Sequence, residues 1–157
     1  MMLLGDIETQ DNSEWLKMFD INVVGLLNGM QTVLADMKKR NSGTIVNISS
    51  INGRKTFSSH AAYCETKFTV YAISENVREE VADSNVRIIT IAPGSVETNL
   101  LSHTTSQEIK EGYEDWKESM GGVLEPDDIA RSVLFAFNQP QNECIREIVI
   151  AATRQQP

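Results

Sequence analysis

Cysteine and histidine are scarce in this 157-residue chain, which has only Cys64, Cys144, His60 and His103. Two thiols cannot build a disulfide framework, and these four residues do not have the spacing of a zinc site, so reduced structural cysteines and no metal centre are expected. Basic residues are in the minority: 14 Lys plus Arg against 22 Asp plus Glu give a net charge of −8. No basic cluster exceeds Lys38-Lys39-Arg40, so the charge has the wrong sign for gathering phosphate backbone and no nucleic-acid partner is expected. No apolar run approaches the ~20 residues of a membrane span. Met1-Met2-Leu3-Leu4 lacks the basic flank and length of a signal peptide, which predicts a cytoplasmic protein with no membrane partner. Repeats, low-complexity tracts and linkers are missing as well. What remains, 41% hydrophobic and 23% charged residues, is an ordinary globular composition at a length that suits one domain over residues 1–157.

Residues 11 to 39 carry the longest helical periodicity, with Leu16, Phe19, Val23, Leu27, Met30, Leu34 and Met37 spaced by three or four. Asp11 with Glu14 predicts a capping box, and Asn41-Ser42-Gly43 a stop. A second stripe, Trp15, Met18, Leu26 and Val33, widens the apolar arc, so this helix should be covered on more than one side, by core or by interface. Asn22 lies on that stripe, where a buried amide must be hydrogen-bonded or placed for a purpose. Thr44 to Ser50 is rich in β-branched residues and reads as a strand. Ser58-Ser59 should cap a helix whose stripe Thr66, Val70, Ile73, Val77 and Val81 carries it to about Asp83. Val86 to Ala92 is a nearly continuous apolar run ended by Pro93-Gly94, as expected of a parallel strand buried on both faces.

Residues 95 to 122 are polar and irregular, with a weak helical stretch from Gln107 to Met120. Glu125-Pro126-Asp127-Asp128 places proline and acids at the first turn of a last helix, which Pro140 closes. Ile145 to Ala151 reads as a final strand. The order helix, strand, helix, strand, loop, helix, strand predicts an α/β fold with a parallel sheet wound on both faces by right-handed crossovers.

In open parallel sheets ligands sit beyond the carboxyl ends of the strands. Ser50 ends the first strand; thirteen residues on, Tyr63 begins the following helix, with Lys67 one turn later on the same face. A hydroxyl, a phenol and an ammonium group can converge there. An unperturbed tyrosine titrates near ~10, and an adjacent cation favours the phenolate, so Tyr63 is a candidate general acid or base tuned by Lys67. Tyr113 and Lys117 repeat the spacing, but the position thirteen before Tyr113 is Leu100, in a loop; only the first pair has a neighbouring hydroxyl and a sheet edge. Cys64 has no resolving partner and reads as structural, while His60 and His103 read as surface or loop residues.

Asn22 in Asp-Ile-Asn-Val-Val-Gly, Val46-Asn-Ile-Ser-Ser50, Tyr63-Cys-Glu-Thr-Lys67 and Ile91-Ala-Pro-Gly-Ser-Val-Glu-Thr98 together resemble the short-chain dehydrogenase/reductase family, in its order and at its spacings. The resemblance spans essentially the whole chain. It implies an NAD(P)-dependent oxidoreductase of a small alcohol or carbonyl substrate, with NADP or NAD as cofactor. Tyr63 would exchange the proton, Ser50 polarise the substrate oxygen, Lys67 lower the Tyr63 pKa and bond the nicotinamide ribose, and Asn22 hold a relay water. Pro93, Gly94, Ser95, Val96, Glu97 and Thr98 would run along the nicotinamide and its phosphates. The ending Arg146-Glu-Ile-Val-Ile150, after Glu125-Pro-Asp-Asp-Ile129, looks most like NADP-dependent reductases of small 3-hydroxy acids and related alcohols.

The family's Gly-rich phosphate loop and its Asn-Asn-Ala-Gly segment are absent, and Gly25-x-x-x-Gly29 lies inside a helix. The chain therefore reads as the C-terminal part of a doubly wound Rossmann fold, its last three strands with flanking helices, with three strand-helix units plus a strand, roughly 90 residues, lacking. An unpaired edge on the strand at 44–50 and the family's use of its two long helices as a subunit interface lead to a homo-oligomer as the expected state. A non-catalytic folding or association module is the alternative of a different class. Sugar-nucleotide epimerases share the Tyr-x-x-x-Lys pair, but the compact region after Pro93 argues against their larger substrate domain.

Overall fold

A computed structural model describes residues 1–156. Three parallel strands, β1 (Gly43–Ile48), β2 (Val86–Pro93) and β3 (Glu147–Ile150), lie in the order β1-β2-β3, with Gly43 opposite Val86 and Thr90 opposite Glu147. The helices are α1 (Asn12–Phe19), α2 (Gly25–Lys39), α3 (Ala61–Glu80), α4 (Gln107–Ser119) and α5 (Pro126–Phe137). Every residue of β2 is buried, as its unbroken apolar run requires of a central strand covered on both faces. Ile88 packs with Met30, Val77 and Val81 beneath α2 and α3. Ile89 and Ile91 point to the other face, against Ala136, Ile129 and Val133 of α5. A third cluster, including Met2, Leu4, Met18, Ala62, Tyr63 and Leu101, gathers around the start of α3. The α/β architecture with helices on both faces is thus the expected one. No helix among the described residues is long and apolar enough to cross a membrane.

Three local expectations are corrected. The helical path from residue 12 to 39 is interrupted by a π-helical turn at Asp20–Val24, centred on Asn22. One extra residue per turn rotates the apolar stripe there, and such turns are common beside functional sites. Asp11 does cap α1, accepting from the Ser13 amide at 2.8 Å. Glu14, however, accepts from Gln10 Nε2 and Thr105 Oγ1, both at 3.0 Å, so tertiary donors take the carboxylate that the capping box needed. Ser58 and Ser59 do not cap α3: Ser59 sits at φ 60° and donates to Asp6 Oδ1 at 2.5 Å, and the helix starts at Ala61. At α5 a complete capping box does form, with the Asp128 carboxylate accepting from the Glu125 amide at 2.7 Å.

Arg87 is a charged residue buried in β2, 5% exposed. Its guanidinium donates to the carbonyls of Phe137 (2.8 Å), Gln139 (2.9 Å) and Glu143 (3.2 Å), and Nε donates to Thr44 Oγ1 at 3.0 Å. The last carbonyls of α5 have no helical partners and carry the negative end of its dipole, so the cation there compensates both.

Candidate active site

The first wall of the site is built where β1 ends. Ser50 is extended at φ −168° and caps a short 3₁₀ turn, Ile51–Gly53, its Oγ accepting from the Asn52 amide at 3.1 Å. The Ser50 hydroxyl also lies 3.4 Å from the Pro93 carbonyl, across the cleft between β1 and β2. Gly53 lets this turn lie directly on α3: a Cβ there would stand 2.7 Å from both the Lys67 carbonyl and Ser49 Oγ. Ser49 Oγ donates to that same Lys67 carbonyl at 3.0 Å. Close backbone approach therefore fixes Ser50 against the first turns of α3, which carry Tyr63 and Lys67. Tyr63 is 4% exposed. Lys67 Nζ donates to the Ile48 carbonyl at 3.2 Å and stands 5.8 Å from the Tyr63 ring centre.

The facing wall begins where β2 ends. The Gly94 amide donates to Ile150 O at 2.7 Å, extending the sheet, and the Ser95 amide donates to Gln155 Oε1 at 2.9 Å. Val96 forms a lone parallel bridge with Leu124. Between the walls lies a cavity of about 840 Å³ lined by Ser50, Tyr63, Lys67, Pro93 to Val96 and Thr98, and covered by residues of α4. That volume lies in the range of small-molecule and cofactor sites.

Burial dominates the electrostatics. It pushes the Tyr63 phenol above its ordinary value, with the Ser50 hydroxyl beside it working in the opposite direction. It pushes the Lys67 ammonium down to about 8. His60 is likewise held below its usual value by burial, against the effect of its hydrogen bond with Ser58 O. The expectation that Lys67 lowers the Tyr63 pKa is therefore corrected for the chain as it stands. Lys67 faces the Ile48 carbonyl rather than the phenol oxygen, and desolvation of both groups outweighs their attraction.

Of the residues singled out from the sequence, Ser50, Tyr63, Lys67, Pro93, Gly94, Ser95, Val96 and Thr98 line one cavity. Asn22 and Glu97 do not. Asn22 bonds the backbone of Met1 through both side-chain atoms, each at 2.8 Å, and donates to Thr66 Oγ1 at 3.1 Å. Glu97 turns to Lys117 at 2.9 Å. Only the first Tyr-x-x-x-Lys pair was expected to have a neighbouring hydroxyl; α4 folds over the cleft, so Tyr113 and Lys117 also line the cavity and the Tyr113 hydroxyl lies 3.5 Å from Ser95 Oγ. His60, expected at the surface or in a loop, sits in the loop just before α3 and lines the cavity too, with its ring 6.5 Å from that of Tyr63 and 6.4 Å from that of Tyr113. Trp116, Asn52 and Gln155 are further lining residues. The only sequence signal for the α4 residues was an aromatic spacing on a weak helix.

The sequence profile of the short chain dehydrogenase family matches residues 2–109. An uncharacterised oxidoreductase of Staphylococcus saprophyticus is 36% identical over 151 residues, covering 95% of this chain and 60% of that relative. Among solved structures, serine dehydrogenase complexed with NADP+ superposes with a TM-score of 0.92 over 100% of this chain and 63% of that one; at 24% identity this is a likeness of fold. ElxO with NADP bound gives a TM-score of 0.80 at 29% identity, over 96% of this chain and 61% of that one. The chain belongs to the short-chain dehydrogenase family. It spans about three fifths of the length of the curated relatives it matches.

Proposed function

We propose that residues 1–157 are a partial Rossmann-type domain carrying the catalytic half of an NAD(P)-dependent oxidoreductase, which moves hydride between the nicotinamide of NADP or NAD and a small alcohol or carbonyl compound. The observation that carries this reading is the convergence of the Ser50 hydroxyl, the Tyr63 phenol and the Lys67 ammonium on one wall of the cavity, with the Pro93–Val96 backbone facing them. The residues present fit the ribose end of the cofactor, with the Lys67 ammonium and the Ser50 and Tyr63 hydroxyls lining one cavity, whereas the open side of Gly94 is taken by Gln155 and Ala151 of this chain. The dinucleotide, when bound, supplies or accepts the hydride.

Tyr63 holds its proton well above neutral pH, so in the reduction direction it donates that proton to the carbonyl oxygen. Ser50 orients the same oxygen. Lys67 holds the ribose through its ammonium. Asn22, one layer behind, shapes the π-helical turn, its amide bonded to Met1 and Thr66. The test is Tyr63→Phe in the full-length protein. Hydride transfer should fall 10²- to 10⁴-fold, the usual contribution of a general acid, with far-UV circular dichroism unchanged. More than about half of the rate retained refutes the assignment.

A homo-oligomer is part of the same proposal. Leu16, Phe19, Ile21, Val24 and Leu27 are exposed along α1, the π-helical turn and the start of α2, Leu16 at 70%. Among the described residues, the outer edge of β1 has no pairing strand. An apolar stripe and an open strand edge on one side of a molecule favour association. Size exclusion with light scattering should report more than 17.5 kDa at micromolar concentration; a monodisperse monomer that binds no hydrophobic dye refutes it.

A further inference from the structure

Proton transfer by Tyr63 and Ser50 leaves the far side of the cavity unexplained. That side is aromatic: the His60 and Tyr113 rings lie roughly stacked, 6.4 Å apart at 30°, and Trp116 meets Tyr113 edge-on at 5.3 Å. Such a wall presents flat apolar surface to a ligand whose reacting oxygen sits at Tyr63. It begins directly beside that phenol, since the His60 and Tyr63 rings are 6.5 Å apart.

Each cation lining the cavity is already engaged. Lys117 Nζ pairs with Glu97 at 2.9 Å and with Glu114 at 2.8 Å. Lys67 donates to the Ile48 carbonyl at 3.2 Å and, on the reading above, serves the ribose. A carboxylate entering here would lose its water without meeting a free positive group, an unfavourable exchange at an apolar wall. A neutral ring loses nothing of the kind. The Tyr113 hydroxyl, 3.5 Å from Ser95 Oγ, makes only a loose hydrogen bond there and is free to turn towards a second oxygen on a ligand.

Resting on the oxidoreductase reading, we propose that the substrate is a neutral carbonyl compound or alcohol with a flat apolar or aromatic body, and that Tyr113 and Trp116 are the residues that select it. A small 3-hydroxy acid is the competing substrate class. α4 contributes no fully buried residue to the core, and Tyr113 touches the cluster around the start of α3 only from its edge, so far-UV circular dichroism and thermal melting accompany each truncation.

The experiment compares phenylacetone with phenylpyruvate, which share ring and carbonyl but differ by a carboxylate, and includes acetoacetate as a small acid, all with the full-length protein and NADPH. The expected result is a kcat/KM for phenylacetone at least about tenfold above that for either acid. Tyr113→Ala and Trp116→Ala should each raise KM for phenylacetone by roughly tenfold, with a smaller effect on kcat. Equal or better turnover of either acid, or a change in KM below twofold in both variants, overturns the proposal. Saturation-transfer NMR on the ring protons of phenylacetone separates the two readings. Ring binding with no turnover of any compound sinks the oxidoreductase reading and leaves the ligand class standing. Turnover that favours the acids sinks the ligand class alone, and neither binding nor turnover sinks both.

Discussion

Replacing Lys67 by Met should make the fold more stable near neutral pH. The ammonium is pressed into the site wall with one hydrogen bond, to Ile48 O at 3.2 Å, and burial lowers its pKa from 10.5 to about 8. For a base with a lowered folded-state pKa, the unfolded chain binds the proton more tightly. Stability therefore rises with pH between about 8 and 10.5, and below that window the full cost of the buried charge is present. At about 1.4 kcal/mol per pKa unit, this cost at pH 7 is roughly 3 kcal/mol. Methionine removes the charge and keeps most of the chain length, but forfeits the hydrogen bond, worth about 1 kcal/mol. The net gain is about 2 kcal/mol, or roughly 4–8 °C in Tm for a protein of this size. Urea unfolding followed by circular dichroism across the window reads it directly. The wild type should gain stability as pH rises past 8 and lose it again above about 10, where the folded state keeps the Tyr63 proton that the unfolded chain releases. In Lys67→Met the rise should vanish while hydride transfer falls. A wild-type stability that is flat through the window, or a variant less stable at pH 7, shows that the ammonium is solvated and refutes the reasoning.

Two further substitutions test how the site is held. Gly53→Ala puts a methyl group 2.7 Å from the Lys67 carbonyl, so the 3₁₀ turn and α3 must separate. The expected loss is about 1–3 kcal/mol by thermal melting together with a fall in activity, and an unchanged Tm and rate would contradict it. Arg87→Met strips one donor group from four carbonyls and from Thr44, for an expected loss of about 3 kcal/mol in urea titration. Arg87→Lys should recover less than half, because a single ammonium cannot span acceptors that a planar guanidinium reaches together; full recovery by lysine overturns that account.

The parts of the molecule legible in the sequence are those where one physical signal dominates. Val86 to Ala92 announced a central strand because apolarity on both faces has few other meanings. Ser50 and Tyr63 could be placed together because both lie just past β1 in the chain, where the sheet topology leaves little choice. The start of α3 was misread because Ser59 looks like a cap, and only the tertiary contact with Asp6 Oδ1 shows that its hydroxyl is used elsewhere. Glu14 was misread for the same reason, since Thr105 lies 91 residues away in sequence. The π-helical turn leaves no local trace beyond Asn22 on an otherwise apolar stripe. The pKa of Tyr63 was misjudged because a motif reports which groups are neighbours and says nothing of how much water surrounds them.

The two Tyr-x-x-x-Lys pairs make that last point within one cavity. Tyr63 and Lys67 lie on a helix pinned to the sheet by backbone contact through Gly53, so both lose water and neither finds a carboxylate. The phenol keeps its proton and the ammonium is strained towards losing its own. Burial thus keeps the phenol in the protonated form a donor needs while weakening it as an acid. Tyr113 and Lys117 have the same spacing on a helix that covers the cleft from outside, and there Glu97 and Glu114 hold the ammonium in its charged form, raising its pKa. Lys117 is therefore settled as an ion-pair partner, and Tyr113 is left to offer its ring face and a loosely bonded hydroxyl. On the proposed reading, identical spacing thus yields a group that transfers a proton and a group that recognises a ligand. What divides them is the desolvation and the counter-charge set by each helix's place in the fold.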